Sequence, residues 1–339
     1  MRRMLVFILA LLLVPLGLAT AAPAGRVSVL CSPNPAWCDA IKAEFPKATG
    51  ITLEYIRLSS GEAFARLRAE AANPSLDVWF GGTGDPHIEA NEAGLTEFYR
   101  PQAWNDLRQE FREAVAGKYV PLYAGILGWA INERLLRDKG IPVPRTWRDL
   151  ADPRYRGLIA YPNPNTSGTG YTMLATLVQI YGEEGAFDLL KRVHRNVAQY
   201  TRSGAAPGQL TARGELAIGI TFVHDAVDQV LQGFPITYNA PSDGTGYEIG
   251  GLSLIKNTRN RPNAVAFMDW ALSPDAQRLA AEQGQSYQIP SNSKTPAPRV
   301  APRFQDFRVI TYDFLRFGRA SVREGLIRRW TREVEPLPK

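Results

Sequence analysis

Residues 157–171 read Gly-Leu-Ile-Ala-Tyr-Pro-Asn-Pro-Asn-Thr-Ser-Gly-Thr-Gly-Tyr, and this stretch joins an apolar run, a polar loop and the start of a helix. The apolar run 157–161 is typical of a short buried strand, and apolar side chains at helical spacing follow from Tyr171 to Tyr181. A polar, glycine-bearing loop between a strand and a helix exposes backbone N–H groups at the positive end of the helix dipole. The stretch therefore predicts a strand–loop–helix unit of an α/β fold.

Five residues of this loop are candidates for contacts with an anion. They are Asn165, Thr166, Ser167, Gly168 and Thr169. Hydroxyl groups and free N–H groups at a helix N-terminus suit phosphate or a similar anion. The alternative interpretation is that one of the three hydroxyl residues only caps the helix. The loop alone does not distinguish these two roles.

Strand and helix patterns also alternate near the N-terminus. Strand patterns at 26–30, 51–58 and 76–80 alternate with helix patterns at 37–45 and 59–72. Ser59 and Glu62 have the spacing of a capping box at the start of the second helix. This β-α-β-α-β order predicts a parallel sheet covered by helices on both faces. Ligands of such sheets bind where the loops that follow the strands converge.

The loops after these three strands carry small and hydroxyl residues at helix starts. The candidate ligand contacts in them are Ser32, Ser60, Gly61 and Thr83. Asp85 is predicted to be the N-cap before Pro86, and His87 in the first turn is predicted to lie at the surface. Capping explains any one of these loops, but several of them in one chain predict a divided polar pocket.

The first 21 residues have the pattern of a cleaved signal peptide. Arg2 and Arg3 precede an apolar run at 5–18, and Ala19-Thr20-Ala21 matches a small-x-small cleavage site. A retained membrane anchor is the alternative, but the run is short for a membrane span and no stop-transfer charges follow it. We therefore predict export, cleavage near Ala21 and a periplasmic location.

Composition and charge are those of a globular protein. The 339-residue chain is 45% hydrophobic and 21% charged, with a formal net charge of +6. Removal of the two leader arginines lowers this charge to about +4. The arginines are scattered rather than clustered, so no nucleic-acid partner is predicted. The mildly basic balance permits an anionic ligand.

The chain contains two cysteines, Cys31 and Cys38. A disulfide between them is the expectation for an exported protein, and two free thiols are the alternative. The disulfide would close a short loop between the first strand and the first helix. Two cysteines alone do not predict a metal site, because no second Cys/His pair lies at ligand spacing.

Three segments, taken with the leader, resemble one protein family. They read Leu-Asp-Val-Trp-Phe-Gly-Gly at 76–82, Pro-Arg-Thr-Trp-Arg-Asp-Leu-Ala-Asp-Pro-Arg-Tyr-Arg-Gly-Leu-Ile at 144–159 and Arg-Pro-Asn-Ala-Val-Ala-Phe-Met-Asp-Trp-Ala-Leu-Ser-Pro-Asp-Ala-Gln at 261–277. The mature chain resembles the extracytoplasmic solute-binding proteins of ABC importers. Its branch of the family handles ferric iron, polyamines, thiamine, phosphonates and sugar phosphates. The segments also have local roles, since Thr146 and Ser273 are suited to cap helices.

The resemblance implies the type II periplasmic-binding-protein fold, an α/β architecture of two lobes, each a mixed sheet flanked by helices, on two hinge strands. The apolar segments 120–132 and 247–255 are the candidate hinge strands. Lobe 1 is expected at 26–122 plus 252–302, and lobe 2 at 123–251 plus 303–339. Members of the family bind their solute by hinge closure, so a monomer that works with ABC permease subunits is expected.

Residues 222–225 read Phe-Val-His-Asp where ferric-binding members have adjacent tyrosines, and this departure argues against iron. His224, Asp225 and Glu248 resemble the residues that hold the sugar ring in hexose-phosphate-binding members. Carboxylates accept hydrogen bonds from neighbouring hydroxyls, and an imidazole adds a donor or an acceptor. The resemblance therefore implies a small anionic solute, with a sugar phosphate such as a hexose phosphate as the first choice.

Several alternatives remain open from the residues alone. Asp225 is also suited to cap a helix, His224 to be a buried structural imidazole, and Glu248 to be an exposed charge at a strand edge. Within the family, the alternatives are ferric iron, another metal on these three side chains, or a phosphonate. A secreted phosphate-ester hydrolase is the alternative from another class. Because common hydrolase and nucleotide-binding motifs are missing, we predict no enzyme, no catalytic residue, no metal ligand and no cofactor.

Overall fold

The computed structural model describes residues 24–339. The predicted signal peptide at 1–21 lies outside these residues. Within 24–339, no helix combines the length and the apolar character needed to cross a membrane.

Eleven strands of the described chain belong to one hydrogen-bonded sheet. They are β1 (Ala24–Cys31), β2 (Ile51–Arg57), β3 (Val78–Phe80), β4 (Thr96–Glu97), β5 (Val120–Ile131), β6 (Ile159–Pro162), β7 (Val197–Thr201), β8 (Ile218–Phe222), β9 (Thr237–Asn239), β10 (Tyr247–Ile255) and β11 (Ile289–Pro290). The strand order is β2-β1-β3-β10-β5-β8-β6-β7, with β4 beside β10 and with β9 and β11 beside β5.

The sheet consists of two parallel sets joined by two long antiparallel strands. Strands β1, β2 and β3 are parallel to one another, and so are β6, β7 and β8. Strand β5 pairs with β10 along its first half and with β8 along its second half. We call the half with β1–β3 lobe 1 and the half with β6–β8 lobe 2. The predicted α/β fold with two lobes on two long strands is confirmed.

Helices cover both parts of the sheet. The α-helices of the described residues are α1 (Pro35–Thr49), α2 (Ser60–Ala69), α3 (Gly84–Glu92), α4 (Gln109–Val115), α5 (Glu133–Asp138), α6 (Gly168–His194), α7 (Ala206–Ala212), α8 (Val223–Leu231), α9 (Arg261–Ala271), α10 (Pro274–Glu282), α11 (Phe314–Phe317) and α12 (Ala320–Glu333). Helix α6 is interrupted at Gly182, whose φ of 71° is outside the helical region. The capping box predicted at Ser59 and the cap predicted at Thr146 are both present.

Each lobe has its own apolar core. In lobe 1, Phe45 packs edge-on against Phe267 with ring centroids 5.2 Å apart. In lobe 2, Trp129 packs edge-on against Trp147 at the same distance of 5.2 Å. Cys31 at the end of β1 is bonded to Cys38 in α1, which confirms the predicted disulfide. These packed elements hold the loops at the strand ends in place.

Two local predictions are wrong, both in α3. The N-cap is Thr83 rather than Asp85, which lies buried in the first turn because the helix begins two residues before Pro86. His87 is fully buried rather than at the surface. Its ring stacks on Trp79 with centroids 3.7 Å apart, and its Nδ1 lies 2.8 Å from Oγ of Ser253. In this position His87 contacts β10 through Ser253, and Asp85 accepts from the hydroxyl of Tyr312.

Candidate functional site

A cavity of about 230 Å³ lies between the two lobes. This volume is below the roughly 300–1,000 Å³ typical of sites for drug-sized ligands, so the cavity suits a small solute. Its walls come from loops after strands of both lobes, and its base comes from β5, β10 and the segment before β11. The polar residues that line it include Ser32, Asn34, Arg57, Ser59, Ser60, Thr83, Tyr123, Ser167, Thr169, Ser203, Gln209, His224, Asp225, Glu248, Ser286 and Gln288.

Most of the residues predicted from the sequence meet at this cavity. Nine line it: Ser32, Ser60, Thr83, Ser167, Gly168, Thr169, His224, Asp225 and Glu248. The other three, Gly61, Asn165 and Thr166, lie at its rim. There the N–H of Gly61 donates to the carbonyl of Thr166 at 3.1 Å, and a side chain on Gly61 would collide with the backbone of Asn165. These three residues join the two lobes rather than face the cavity.

Three hydroxyl residues of lobe 1 line the cavity, Ser32, Ser60 and Thr83. The Ser32 hydroxyl accepts from the indole N–H of Trp79 at 2.9 Å, and the Ser60 hydroxyl accepts from the N–H of Thr83 at 3.1 Å. Each serine proton therefore remains available for another acceptor. The buried Thr83 hydroxyl has no hydrogen-bond partner among the described residues. The lobe 1 wall thus presents hydroxyl donors, as an anion requires.

The start of α6 faces these hydroxyls from lobe 2. The Ser167 hydroxyl accepts from the N–H of Gly170 at 3.5 Å, so Ser167 is the helix cap. A Cβ atom on Gly168 would lie 1.9 Å from Oγ1 of Thr83, so only glycine permits this approach of the two lobes. The first residues of α6 therefore line the cavity with the positive end of the helix dipole and with N–H groups that have no partner within the helix.

His224, Asp225 and Glu248 come together at the same cavity. Helix α8 begins at Val223, so Asp225 lies in its first turn and is not its N-cap. The Asp225 carboxylate accepts from the Thr221 hydroxyl at 2.9 Å, and its Oδ1 lies 3.7 Å from Nε2 of His224. Glu248 is 4% exposed, which excludes an exposed charge at a strand edge.

Burial favours the neutral forms of two of these groups. The pKa of Glu248 is raised well above its usual value by burial and by the nearby Asp225 and Asp85 carboxyl groups. The pKa of His224 is lowered by burial, although Asp225 opposes this shift. These three residues therefore combine neutral donors and acceptors with the carboxyl group of Asp225. Such a set suits hydroxyl groups better than a second anion.

Eight polar residues of the cavity were not among the predicted contacts, and Arg57 and Gln288 are two of them. Arg57 ends β2, and its Nε donates to the carbonyl of Pro33 at 3.1 Å. Burial lowers the pKa of Arg57, and the nearby Glu62 and Asp225 oppose this shift. Its guanidinium, which stays protonated in proteins, belongs to a residue that lines the cavity. Its position at a strand end was the available signal. Gln288 belongs to a segment with no helix or strand pattern, so nothing in the sequence marked it.

Gly125 on β5 is another residue that the sequence did not reveal. A Cβ atom there would lie 2.6 Å from Cε1 and Nδ1 of His224 and 3.2 Å from Oε1 of Glu248. The absence of a side chain thus makes room for both groups. Within residues 24–339, no cluster of three or more His, Cys, Asp or Glu side chains is arranged to hold a metal ion.

Comparison with known proteins agrees with this geometry. Residues 85–317 match the family model described as bacterial extracellular solute-binding protein. This chain belongs to that family. Proteins of this kind bind small solutes and work with the permease subunits of ABC importers.

Three proteins are similar to this chain over most of its length. A Haemophilus influenzae protein is 42% identical over 94% of each chain. The periplasmic binding protein AfuA of Actinobacillus pleuropneumoniae, solved with fructose-6-phosphate bound, is 38% identical with a TM-score of 0.90, over 93% of this chain and 100% of that chain. A Salmonella typhi protein named as a 2-aminoethylphosphonate-binding periplasmic protein is 26% identical over 69% of this chain and 70% of its own.

Proposed function

We propose that this solute-binding protein captures a sugar phosphate, such as a hexose phosphate, in the cleft between its lobes. The phosphate would bind between Ser32, Ser60 and Thr83 of lobe 1 and the start of α6 at Ser167–Thr169. The hydroxyl-bearing part would contact His224, Asp225 and Glu248.

The observation that carries this proposal is the hydrogen bonding of the lobe 1 hydroxyl groups. Ser32 and Ser60 already accept hydrogen bonds from the protein, and Thr83 has no partner among the described residues. Ser32 and Ser60 line the same cavity as the N-terminus of α6, which is a favourable arrangement for phosphate oxygens. The fructose-6-phosphate bound by AfuA supports the same class of ligand.

Several further features complete the proposal. The protein would be exported after cleavage near Ala21 and would act as a periplasmic monomer, with no nucleic-acid partner and no catalytic activity. Its lobe boundaries would be 26–122 plus 252–302 and 123–251 plus 303–339. The rim contact of Gly61 with Thr166 supports closure of the two lobes around the solute.

A thermal-shift screen tests the ligand class. We expect sugar phosphates to stabilise the protein, by about 2.7 kcal/mol at 100 times the dissociation constant. Free sugars, polyamines, thiamine and Fe(III) should give no comparable shift. A shift with Fe(III) alone, or with phosphonates alone, would contradict the proposal. Release of inorganic phosphate from a sugar phosphate by the purified protein would instead support the hydrolase alternative.

Asp225→Asn separates the binding role from a structural one. The substitution keeps the size of the side chain. It replaces a carboxylate, whose two oxygens would accept from two hydroxyls, by an amide with one acceptor oxygen. We expect a loss of affinity for the sugar phosphate of about tenfold or more, because hydrogen bonds to a charged group contribute roughly 1.5–3 kcal/mol. The stability of the ligand-free protein should change much less. Equal loss of stability and unchanged affinity would return Asp225 to a structural role.

A further inference from the structure

Gln288 lies in the same row of the sheet as the proposed sugar-binding residues. Ile289 pairs with Ala124 in antiparallel register, so Gln288 lies beside Gly125 by continuation of that register. Glu248 pairs with Gly125 from the opposite side. His224 lies directly over the same glycine. An acid, an imidazole and a carboxamide therefore surround one position without a side chain.

The carboxamide of Gln288 contacts the imidazole of His224. Nε2 of Gln288 lies 3.1 Å from Nε2 of His224. An amide nitrogen only donates, so this contact makes Nε2 of His224 the acceptor and leaves the imidazole proton on Nδ1. Burial lowers the pKa of His224, which supports a neutral ring that has one donor and one acceptor. With the amide in this orientation, His224 carries its proton on Nδ1.

This contact leaves two buried polar atoms without partners. Oε1 of Gln288 and Nδ1 of His224 have no hydrogen-bond partner among the described residues. Gln288 is 7% exposed and His224 is 4% exposed, and both line the cavity. A buried polar group without a partner is costly, so these atoms require a ligand or water to satisfy them. One acceptor and one donor side by side match the hydroxyl groups of a polyol.

Resting on the proposed function, we propose that Gln288 is a specificity-determining residue that selects solutes bearing hydroxyl groups. Its Oε1 accepts from a ligand hydroxyl, and its amide N–H positions Nδ1–H of His224 to donate to a neighbouring oxygen. An anion without hydroxyls, such as inorganic phosphate, would bind at the lobe 1 serines and the start of α6 and would gain nothing from Gln288.

Calorimetric titration of Gln288→Met with two probes tests this inference. The variant keeps the length of the side chain and removes both polar groups. We expect about a tenfold loss of affinity for fructose 6-phosphate, the size of one well-made hydrogen bond to a buried group. The affinity for inorganic phosphate should stay within about twofold of the wild type. The control Gln283→Met changes an exposed glutamine in the same stretch and should alter neither affinity.

Nitrogen-15 NMR of the imidazoles provides a readout that a general loss of packing would not reproduce. With three histidines in the chain, a His224→Gln spectrum assigns the signal. The wild type should show the Nδ1–H tautomer at His224, and Gln288→Met should show a mixture. The Nε2–H tautomer in the wild type, or equal losses for both probes, overturns the inference alone. A wild type that binds no sugar phosphate overturns the proposed function and this inference together.

Discussion

Arg202 of lobe 2 and Glu62 of lobe 1 form an ion pair at the rim of the cleft, with Nε of Arg202 2.9 Å from Oε1 of Glu62. The other carboxylate oxygen of Glu62 accepts from the N–H of Ser59 at 3.3 Å in the capping box of α2. The same residue thus holds the loop that carries Ser60 and links it to the opposite lobe. Because this pair joins the two lobes, we expect it to favour the closed state over a state in which the lobes have moved apart.

Arg202→Ala should speed ligand release more than it slows association. The Arg202 side chain is 82% exposed, and an exposed ion pair contributes roughly 0–1 kcal/mol. We therefore expect at most about a fivefold rise in the dissociation rate, measured by stopped-flow fluorescence. Arg213→Ala is the matched control, because Arg213 pairs with Glu215 inside lobe 2. A slower association with unchanged dissociation would contradict this role of Arg202.

Gly125→Ala should remove sugar-phosphate binding at a modest cost in stability. The new methyl group would lie 2.6 Å from the His224 ring, so the ring or the strand has to shift. Overpacking of this kind costs about 1–3 kcal/mol of unfolding free energy, while the displaced ring loses its alignment in the cleft. Urea unfolding and calorimetric titration measure the two effects separately.

Gly325→Ala is the control for this glycine substitution. Gly325 lies within α12, and a Cβ atom there meets nothing within 4 Å. Alanine at a helical position without contacts should stabilise the protein by up to about 1 kcal/mol and leave binding unchanged. Full affinity in Gly125→Ala would show that the row formed by Glu248, Gly125 and Gln288 does not hold the ligand.

Local patterns in the sequence were sufficient to predict the main helices and strands and the loops that carry hydroxyl residues. The capping box from Ser59 to Glu62 fixes where α2 begins, and thereby places Ser60 in the lobe 1 wall of the cleft. The pairing of lobes is not local: Gly168 reaches Thr83 only because two chain segments 85 residues apart fold against each other. The position of Gln288 beside Gly125 depends on the register of β11 with β5, and no pattern of apolar residues specifies this register.

His87 and Asp85 show a second limit of local patterns. Polar residues in the first turn of a helix are usually exposed, but α3 packs these two against the sheet and the C-terminal helices. His87 reaches Ser253 on β10, and Asp85 accepts from the hydroxyl of Tyr312 at 3.3 Å. Only the tertiary contacts of α3 reveal that both groups titrate away from their ordinary pKa values.

His87 should make the protein less stable as the pH falls below neutrality. Burial lowers the pKa of His87 to about 3, whereas the unfolded chain titrates near 6.5. The unfolded state therefore binds the proton first, and stability is lost progressively as the pH falls from about 6.5 towards 3. Denaturant unfolding of His87→Gln against the wild type should show a wild-type advantage about 2 kcal/mol larger at pH 7.5 than at pH 5. A constant difference would contradict the buried neutral imidazole.

Asp85 should have the opposite dependence on pH. Burial raises the pKa of Asp85 to about 7, although Arg323 and the Tyr312 hydroxyl lower it. The folded state therefore holds its proton where the unfolded state has lost it, so the contribution of Asp85 to stability decreases as the pH rises from about 3.8 to 7. Asp85→Asn mimics the neutral form and leaves the buried ion pair of Arg323 with Glu89 in place.

Unfolding of Asp85→Asn by urea at two pH values measures this contribution. The stability of the variant relative to the wild type should be higher at pH 8 than at pH 4 by up to about 4 kcal/mol, because each pKa unit corresponds to about 1.36 kcal/mol. Asp188→Asn makes the same substitution at an exposed position of α6 and is the control. If Asp85→Asn instead lost stability at pH 8 relative to pH 4, the ionised form of Asp85, stabilised by the nearby charge of Arg323, would be the stabilising form.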